Sequence, residues 1–256
     1  MLLVIDAGNT QTVVGLYGGE ELLDHWRIAT NAERTSDEHA LLIGQFLQLH
    51  GFSFDEGIRG VAISSGVPRI TGALRDMAER YFGFTPLVVE PGVKTGMPIL
   101  YDNPKEVGAD RIADAVAAFD LYGGPAIVVD FGTATVFDAV SAKGEYVGGA
   151  IAPGIEISLD ALFSRAAWLR RVELVEPPSV IGRSTVESIQ SGVIYGVTGM
   201  VDGICRRIMD ELGEAAVVAT GGLSALIAPL SACIQHEEPW LTLHGLRLIY
   251  EKNAEQ

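Results

Sequence analysis

The 256-residue sequence is poor in basic residues and in cysteine, and each scarcity excludes a class of protein. Only 18 lysines and arginines stand against 33 aspartates and glutamates, which gives a formal net charge of −15. Such a surface repels nucleic acids and anionic membranes, so we expect no nucleic-acid partner and no membrane partner. With only two cysteines, a secreted disulfide framework is excluded, and a cytoplasmic location is expected.

The sequence also lacks the long apolar run that a membrane helix needs. No stretch of about 18 consecutive apolar residues occurs. The N-terminal segment has no basic region, and Asp6 interrupts its apolar run, so a signal peptide is not expected. The five histidines show no spacing typical of zinc ligands.

What is present is an alternation of apolar runs and helical periodicities that predicts an α/β fold. The first half predicts three strands, a helix, a strand, a second helix and another strand, an order typical of a mixed sheet. Thr35 and Glu38 have the spacing of a capping box before the first helix. The predicted strands cover residues 2–5, 12–17, 22–28, 61–64 and 86–89, and the second helix covers residues 70–81.

The second half continues the alternation after a loop at residues 91–106 that is rich in Gly, Pro, Asp and Asn. Gly148-Gly149 and Pro153-Gly154 are interpreted as turns. Helices are predicted near residues 107–121, 186–212 and 244–252, and strands at residues 126–129, 135–140 and 216–219.

A short motif occurs twice, each time at the end of an apolar strand. Asp6-Ala7-Gly8-Asn9 follows the first strand, and Asp130-Phe131-Gly132-Thr133 follows another strand about half the chain later. A repeat on this scale indicates two related domains that face each other. We place these domains at residues 1–115 and 116–256, and we expect that the last helix could pack back on the first domain.

Each motif has the chemistry of a phosphate-binding turn. A glycine two residues after a strand-end aspartate lets the backbone approach a ligand, and its N–H groups can bind phosphate oxygens. The aspartate repels phosphate, so it must act through a cation or water. Two copies, together with Thr220-Gly221-Gly222, predict a site for a metal and a nucleotide. The P-loop, the dinucleotide-binding glycine motif and the protein-kinase His-Arg-Asp motif do not occur in the sequence.

The segment at residues 106–111 places the carboxylate of Asp110 at the start of a predicted helix. A helix N-terminus favours anions, so an ionised Asp110 could accept a proton from a substrate hydroxyl. Arg111 could bind a substrate carboxylate or phosphate. The alternative is that Asp110 only caps the helix and that Arg111 is a solvated surface residue. Tyr101 could likewise be a packing residue, and Thr185 could be only a helix N-cap.

Together these motifs resemble the type III pantothenate kinase family, which belongs to the actin, Hsp70 and sugar-kinase superfamily. The resemblance implies an α/β fold of two ribonuclease-H-like (actin-like ATPase) domains, with mixed sheets facing across a nucleotide cleft. It also implies transfer of the γ-phosphoryl group of ATP to the primary hydroxyl of pantothenate, the first step of coenzyme A biosynthesis. The matching segments keep the family's order: residues 6–10, 108–111, 130–135, 148–154, 220–222 and 243–246.

The resemblance assigns roles to individual residues. Asp110 is the expected general base, and Asp130 is the expected ligand of a monovalent cation, K⁺ or NH₄⁺. ATP, with a divalent cation such as Mg²⁺, is expected to contact Asp6, Ala7, Gly8, Asn9, Thr10, Gln11, Thr12, Val13, Gly132, Thr133, Gly221 and Gly222. Pantothenate is expected to contact Tyr101, Gly108, Ala109, Asp110, Arg111 and Thr185. The family also implies a homodimer with the pantothenate site near the subunit interface.

Two positions depart from the family pattern, and two other functions on this fold stay open. Leu169-Arg170 stands where the family often has Leu-Pro, and Ser184 stands where it often has asparagine. The same fold also supports nucleotide-binding regulators without kinase activity, and phosphohydrolases. A regulator would not need residues 108–111, and a hydrolase would need a water-activating carboxylate and no alcohol site.

Overall fold

The chain divides into two compact units, which the computed structural model describes over residues 1–52, 57–166 and 171–254. Unit 1 contains residues 1–97, 102–117 and those from 242 onward, whereas unit 2 contains residues 98–101 and 118–241. The C-terminal helix therefore belongs to unit 1 from Thr242 onward. The departure at Leu169-Arg170 lies outside the described residues.

Unit 1 is built on a five-stranded mixed sheet. Its strands are Leu2–Ala7 (β1), Gln11–Gly18 (β2), Glu21–Ala29 (β3), Gly60–Ser65 (β4) and Leu87–Val88 (β5). The spatial order is β3-β2-β1-β4-β5, in which β1, β2 and β3 are antiparallel neighbours and β4 and β5 join in parallel. The central strand β1 is almost fully buried, whereas the edge strand β3 alternates exposed and half-buried residues.

The first two helices of unit 1 lie close to the positions that the sequence predicts. Helix α1 (Ser36–Leu49) begins at the predicted capping box, in which Thr35 and Glu38 each accept the other's backbone N–H. Helix α2 (Pro68–Met77) continues as a π-helical segment over Ala78–Phe82. The helix predicted at residues 70–81 is therefore present but changes its hydrogen-bond pattern at Ala78.

The core of unit 1 joins the sheet to α1 and α2. Apolar side chains three or four residues apart share one helix face, so each helix presents a buried stripe. Burial of each such side chain contributes about 1.5–3 kcal/mol. Buried members of this cluster include Leu3, Ile5, Ile43, Leu47, Ile63, Ile70, Leu74 and Met77.

Helix α3 (Ala109–Tyr122) begins in unit 1, where the C-terminal helix α7 (Leu241–Ala254) packs against it. The Thr242 hydroxyl donates to Asp114 Oδ1 at 2.7 Å. A Cβ atom on Gly245 would lie 1.9 Å from the carbonyl oxygen of Ala113, so the two backbones can approach this closely only with glycine there.

Unit 2 repeats the sheet of unit 1. Its strands are Ala126–Phe131 (β6), Ala134–Val140 (β7), Tyr146–Pro153 (β8), Ala216–Thr220 (β9) and His236–Glu237 (β10). The order β8-β7-β6-β9-β10 again has three antiparallel strands followed by two parallel ones. The two sheets correspond strand for strand, which confirms the predicted internal repeat.

The helices of unit 2 are α4 (Ile155–Arg165), α5 (Thr185–Leu212) and the short α6 (Ser224–Ile227). Ser184 is the N-cap of α5, because its hydroxyl accepts the Glu187 N–H at 3.2 Å. The alternative that Thr185 is the N-cap is therefore wrong, since Thr185 is the first helical residue. Although α5 has 28 residues, no helix in the described part of the chain is long and apolar enough to cross a membrane.

The interpretation of Gly148-Gly149 as a turn is also wrong, because both glycines lie inside β8. Gly148 has a φ of 123° and sits next to a register shift between β7 and β8. A Cβ atom on Gly149 would lie 1.8 Å from the carbonyl oxygen of Phe137. Here glycine allows two strands to approach closely, and it does not mark a chain reversal.

Candidate active site

The first Asp-x-Gly motif forms the turn between β1 and β2 in unit 1. Asp6 is half-buried near the end of β1. The Gly8 N–H donates to the carbonyl oxygen of Gln11 at 3.0 Å, which closes the turn. Asn9 and Thr10 are exposed at the tip, so the turn can offer backbone and side-chain hydrogen bonds to an anion.

The second motif forms the turn between β6 and β7 in unit 2. It is closed in the same way, since the Gly132 N–H donates to the carbonyl oxygen of Ala134 at 3.1 Å. Gly132 and Thr133 are exposed. The unit 2 turn is one residue shorter, because Asp6 pairs with Val13 whereas Asp130 pairs with Val136.

The carboxylate of Asp130 lies against two glycines of unit 2. A Cβ atom on Gly221 would lie 2.4 Å from Asp130 Oδ1 and 2.7 Å from the Phe131 backbone, and Gly221 has a φ of 91°. A Cβ atom on Gly132 would lie 3.3 Å from Asp130 Oδ2. The structure thus brings together three of the residues that the sequence assigned to nucleotide and cation binding. Gly222, the next residue, is exposed with open space at its Cα.

Two residues contact these turns in a way that the sequence did not predict. The Thr30 hydroxyl donates to the carbonyl oxygen of Gly8 at 2.8 Å. A Cβ atom on Gly154 would lie 2.2 Å from the carbonyl oxygen of Thr133. Both residues directly follow the third strand of their unit. Aligning the two halves of the chain strand by strand, beyond the motifs themselves, is the signal that would have found them.

Asp110 is the second residue of α3 and is exposed. Its Oδ1 accepts the backbone N–H of Arg111 at 2.9 Å, and a Cβ atom on Gly108 would lie 2.3 Å from that oxygen. The carboxylate therefore satisfies one N–H group of the first turn, but Asp110 lies inside the helix and is not its N-cap. Its exposure still allows contact with a substrate. Arg111 is half-buried and interacts with other groups, so it is not simply a solvated residue.

Tyr101 is half-buried in unit 2, where its ring lies 6.3 Å from the ring of Tyr146. Tyr146 is fully buried, and its hydroxyl donates to Asp138 Oδ1 at 2.7 Å. Tyr101 therefore does pack against the protein, as the alternative interpretation expected, and its accessible part remains available to a ligand.

Thr185 lines a cavity of about 730 Å³ in unit 2, between the end of α4 and the start of α5. The lining combines apolar and polar side chains, including Leu162, Arg183, Ser184 and Ser188. A mixed lining of this kind suits a small polar molecule with an aliphatic part.

Structural comparison identifies the class of protein that this fold defines. The chain is similar to component A of (R)-2-hydroxyglutaryl-CoA dehydratase from Acidaminococcus fermentans, with a TM-score of 0.58 and 15% identity, covering 100% of this chain and 99% of that chain. It is also similar to the activator of 2-hydroxyisocaproyl-CoA dehydratase from Clostridium difficile, solved with bound ADPNP, with a TM-score of 0.55 and 11% identity over 100% and 97% of the two chains. The fold is that of the actin-like ATPases, with two ribonuclease-H-like domains, as predicted.

Sequence comparison narrows this class to one family. The family model for type III pantothenate kinase matches residues 2–207. A type III pantothenate kinase from Streptomyces griseus is 57% identical over 262 residues, covering 99% of this chain and 99% of its own. The chain therefore belongs to the type III pantothenate kinase family, which confirms the resemblance carried by the motifs.

Proposed function

We propose that this protein transfers the γ-phosphoryl group of ATP to the primary hydroxyl of pantothenate, which gives 4'-phosphopantothenate in the first step of coenzyme A biosynthesis. One observation carries this proposal: the 57% identity to a type III pantothenate kinase extends over 99% of both chains. The match therefore includes both Asp-x-Gly turns and the segment around Asp110. Phosphoryl transfer depends mainly on positioning and charge neutralisation, which are what these segments can supply.

Asp110 is the general base in this proposal. Its carboxylate accepts the hydroxyl proton of pantothenate while the hydroxyl oxygen bonds to phosphorus and ADP leaves. Its exposure at the N-terminus of α3 supports this role, because a helix N-terminus favours a negative charge. Arg111 binds the pantothenate carboxylate, and Gly108 and Ala109 bring the backbone close to the substrate.

The phosphates of ATP are bound mainly by backbone groups in this proposal. The chain has only four lysines, so few ammonium groups are available to neutralise a triphosphate. Residues 6–13 of unit 1 contribute N–H groups together with the exposed polar side chains of Asn9, Thr10 and Gln11, whereas the Thr12 side chain is buried. In unit 2, Gly132, Thr133, Gly221 and Gly222 contribute backbone groups and the Thr133 hydroxyl. A divalent cation such as Mg²⁺ accompanies ATP and offsets part of its charge.

Asp130 is the proposed ligand of a monovalent cation, K⁺ or NH₄⁺. The residues fit such an ion, because a half-buried carboxylate lies close to the backbone of Gly132 and Gly221, which can add carbonyl oxygens. Carboxylate and carbonyl oxygens are suitable ligands for K⁺. When bound, the ion supplies positive charge near the phosphate-binding turn.

Tyr101 and Thr185 contact pantothenate in this proposal. We also propose that the protein is a homodimer and that it is located in the cytoplasm. The cavity that Thr185 lines supports the first point. Exposed apolar side chains in the same unit, such as Ile157 and Val186, support an interface with a second subunit. Both cysteines are free and buried, which is compatible with a reducing compartment.

The role of Asp110 is tested by Asp110→Asn, which keeps the size of the side chain and removes the proton acceptor. We expect kcat to fall about 10²–10⁴-fold in a coupled assay of ADP release with ATP and pantothenate. Asp76→Asn, at an exposed position on α2 of the same unit, is the matched control and should keep wild-type turnover. Near-normal turnover of Asp110→Asn would contradict the assignment.

The same assay distinguishes the other two functions. A kinase releases ADP only when pantothenate is present. Release that does not depend on pantothenate would identify a phosphohydrolase, and no release under either condition would identify a regulator. Testing small alcohols in place of pantothenate then defines the acceptor.

The cation assignment is tested by replacing K⁺ with Na⁺ at constant ionic strength. We expect a lower rate in Na⁺, because the smaller ion is more strongly hydrated and fits a site built for K⁺ less well. Asp130→Asn should remove most of the difference between the two salts. Equal rates of the wild-type protein in both salts would rule out this role for Asp130.

A further inference from the structure

Thr30 makes two hydrogen bonds to the turn between β1 and β2. Its hydroxyl donates to the carbonyl oxygen of Gly8 at 2.8 Å, and its backbone N–H donates to the carbonyl oxygen of Thr10 at 2.9 Å. Thr30 is the residue that directly follows β3, so it is distant from the turn in sequence. One threonine therefore holds two carbonyl groups of the same turn.

The hydroxyl of Thr12, which is buried in the core, contacts the Thr30 hydroxyl. Thr12 Oγ1 lies 2.9 Å from Thr30 Oγ1, and Thr12 is only 1% exposed. A carbonyl oxygen can only accept, so the single hydroxyl hydrogen of Thr30 goes to Gly8. Thr12 must then donate to Thr30. The hydrogen bonds run in one direction, from Thr12 through Thr30 to Gly8.

Because the peptide group is planar, fixing the Gly8 and Thr10 carbonyl groups also fixes the direction of the next N–H groups. The peptide bonds after Gly8 and Thr10 are trans, and in a trans peptide the N–H points opposite to the C=O. Holding the two carbonyls towards Thr30 therefore aims the N–H groups of Asn9 and Gln11 away from it. We propose that Thr30 is a positioning residue that orients these N–H groups for the phosphates of ATP. This inference rests on the proposed role of the turn in ATP binding.

The corresponding turn of unit 2 is supported in a different way. Gly154 takes the place of Thr30, and its Cα packs directly against the carbonyl oxygen of Thr133. Thr135 is the counterpart of Thr12, and its buried hydroxyl has no hydrogen-bond partner within the described residues. In unit 2, backbone packing thus takes the place of the Thr12 and Thr30 hydrogen bonds. Removing the Thr30 hydroxyl should accordingly affect the turn of unit 1 alone.

The hydroxyl is tested by Thr30→Val, which keeps the branched shape, and by Thr30→Ser, which keeps the hydroxyl. We expect Thr30→Val to weaken binding of MgATP about tenfold in calorimetry without pantothenate, the size expected for one lost hydrogen bond. The KM for pantothenate should stay within about twofold of wild type. Thr30→Ser should restore ATP binding.

A matched control is Thr71→Val, which removes a hydroxyl bond to the carbonyl oxygen of Val67 in α2 of the same unit. It should leave ATP binding unchanged. If Thr30→Val does not fold, Thr12→Val provides the test, because it keeps the bond to Gly8 and removes only the support behind Thr30. We expect this variant to bind MgATP about threefold more weakly.

Two results would overturn the role of Thr30. One is wild-type affinity for MgATP in Thr30→Val, or in Thr12→Val where that variant replaces it. The other is equal weakening in Thr30→Ser and Thr30→Val, which would show that side-chain shape matters and the hydroxyl does not. Because ATP binding is measured alone, a protein that binds ATP without phosphorylating pantothenate would contradict the proposed function and leave this comparison interpretable.

Discussion

At the scale of single residues, His39 is an unusual member of the core of unit 1. It lies on α1 with 1% of its surface exposed, and neither ring nitrogen has a hydrogen-bond partner among the residues described. Burial, together with the weaker effect of the nearby Arg34, lowers the pKa of His39 to about 4, while Glu38 opposes this shift. The imidazole is therefore neutral in the folded protein at neutral pH.

This burial makes stability depend on pH in a defined direction. The folded pKa lies below the unfolded value of about 6.5, so the unfolded state binds more protons between these values. The free energy of unfolding should fall by about 1–2 kcal/mol between pH 7 and pH 5 through His39. His39→Leu should flatten that part of the profile in urea titrations. An unchanged slope in His39→Leu would exclude His39 as the cause.

The residues of the candidate site were only partly predictable from the sequence. The Asp-x-Gly motifs are local signals, because the strand end, the aspartate and the glycine are adjacent in the chain. The contact of Thr30 with Gly8, in contrast, joins two positions that only the pairing of β2 with β3 brings together. No local pattern marks such a residue, whereas the repeat marks it indirectly.

At the scale of elements, close backbone contacts explain where the predictions differ from the structure. Capping boxes and apolar periodicity are local, so α1 and the central strands were predicted well. Gly148 and Gly149 suggested a turn because glycine is frequent in turns. Here the φ of 123° favours glycine at position 148, and the approach of a neighbouring strand requires it at position 149. The π-helical segment at Ala78–Phe82 likewise has no local sequence signal that we recognise.

The contact between α7 and α3 gives a testable case. Gly245→Ala would gain up to about 1 kcal/mol of helix propensity. It would also place a methyl group against the Ala113 carbonyl, where even the ideal Cβ is only 1.9 Å away, so we expect a net loss of about 1–3 kcal/mol.

Gly72→Ala is the matched control, because this helical glycine in α2 has nothing within 4 Å of the added carbon. It should stabilise the protein by up to about 1 kcal/mol. Urea midpoints of the two variants should therefore move in opposite directions. A higher urea midpoint in both variants would show that α7 can move away from α3 without cost.

At the scale of the whole molecule, the net charge of −15 should affect the encounter with ATP. A negative surface repels MgATP at long range, and salt screens this repulsion over about 10 Å at 0.1 M ionic strength. We expect kcat/KM for ATP to rise about 2–5-fold between about 10 and 150 mM ionic strength. Tetramethylammonium chloride should vary the ionic strength while K⁺ and Mg²⁺ stay constant. A decrease with salt would show that local positive charge dominates the encounter.

The two sheets have the same strand order, yet their first hairpins differ by one residue. Shortening the first hairpin to the length of the second would remove one residue from the turn at residues 8–11, where Thr30 bonds to two carbonyl groups. The two halves therefore share one strand order, but their first hairpins are not interchangeable. Exchanging the first hairpins of the two units would therefore not give a working protein unless the longer turn kept its contacts with Thr30.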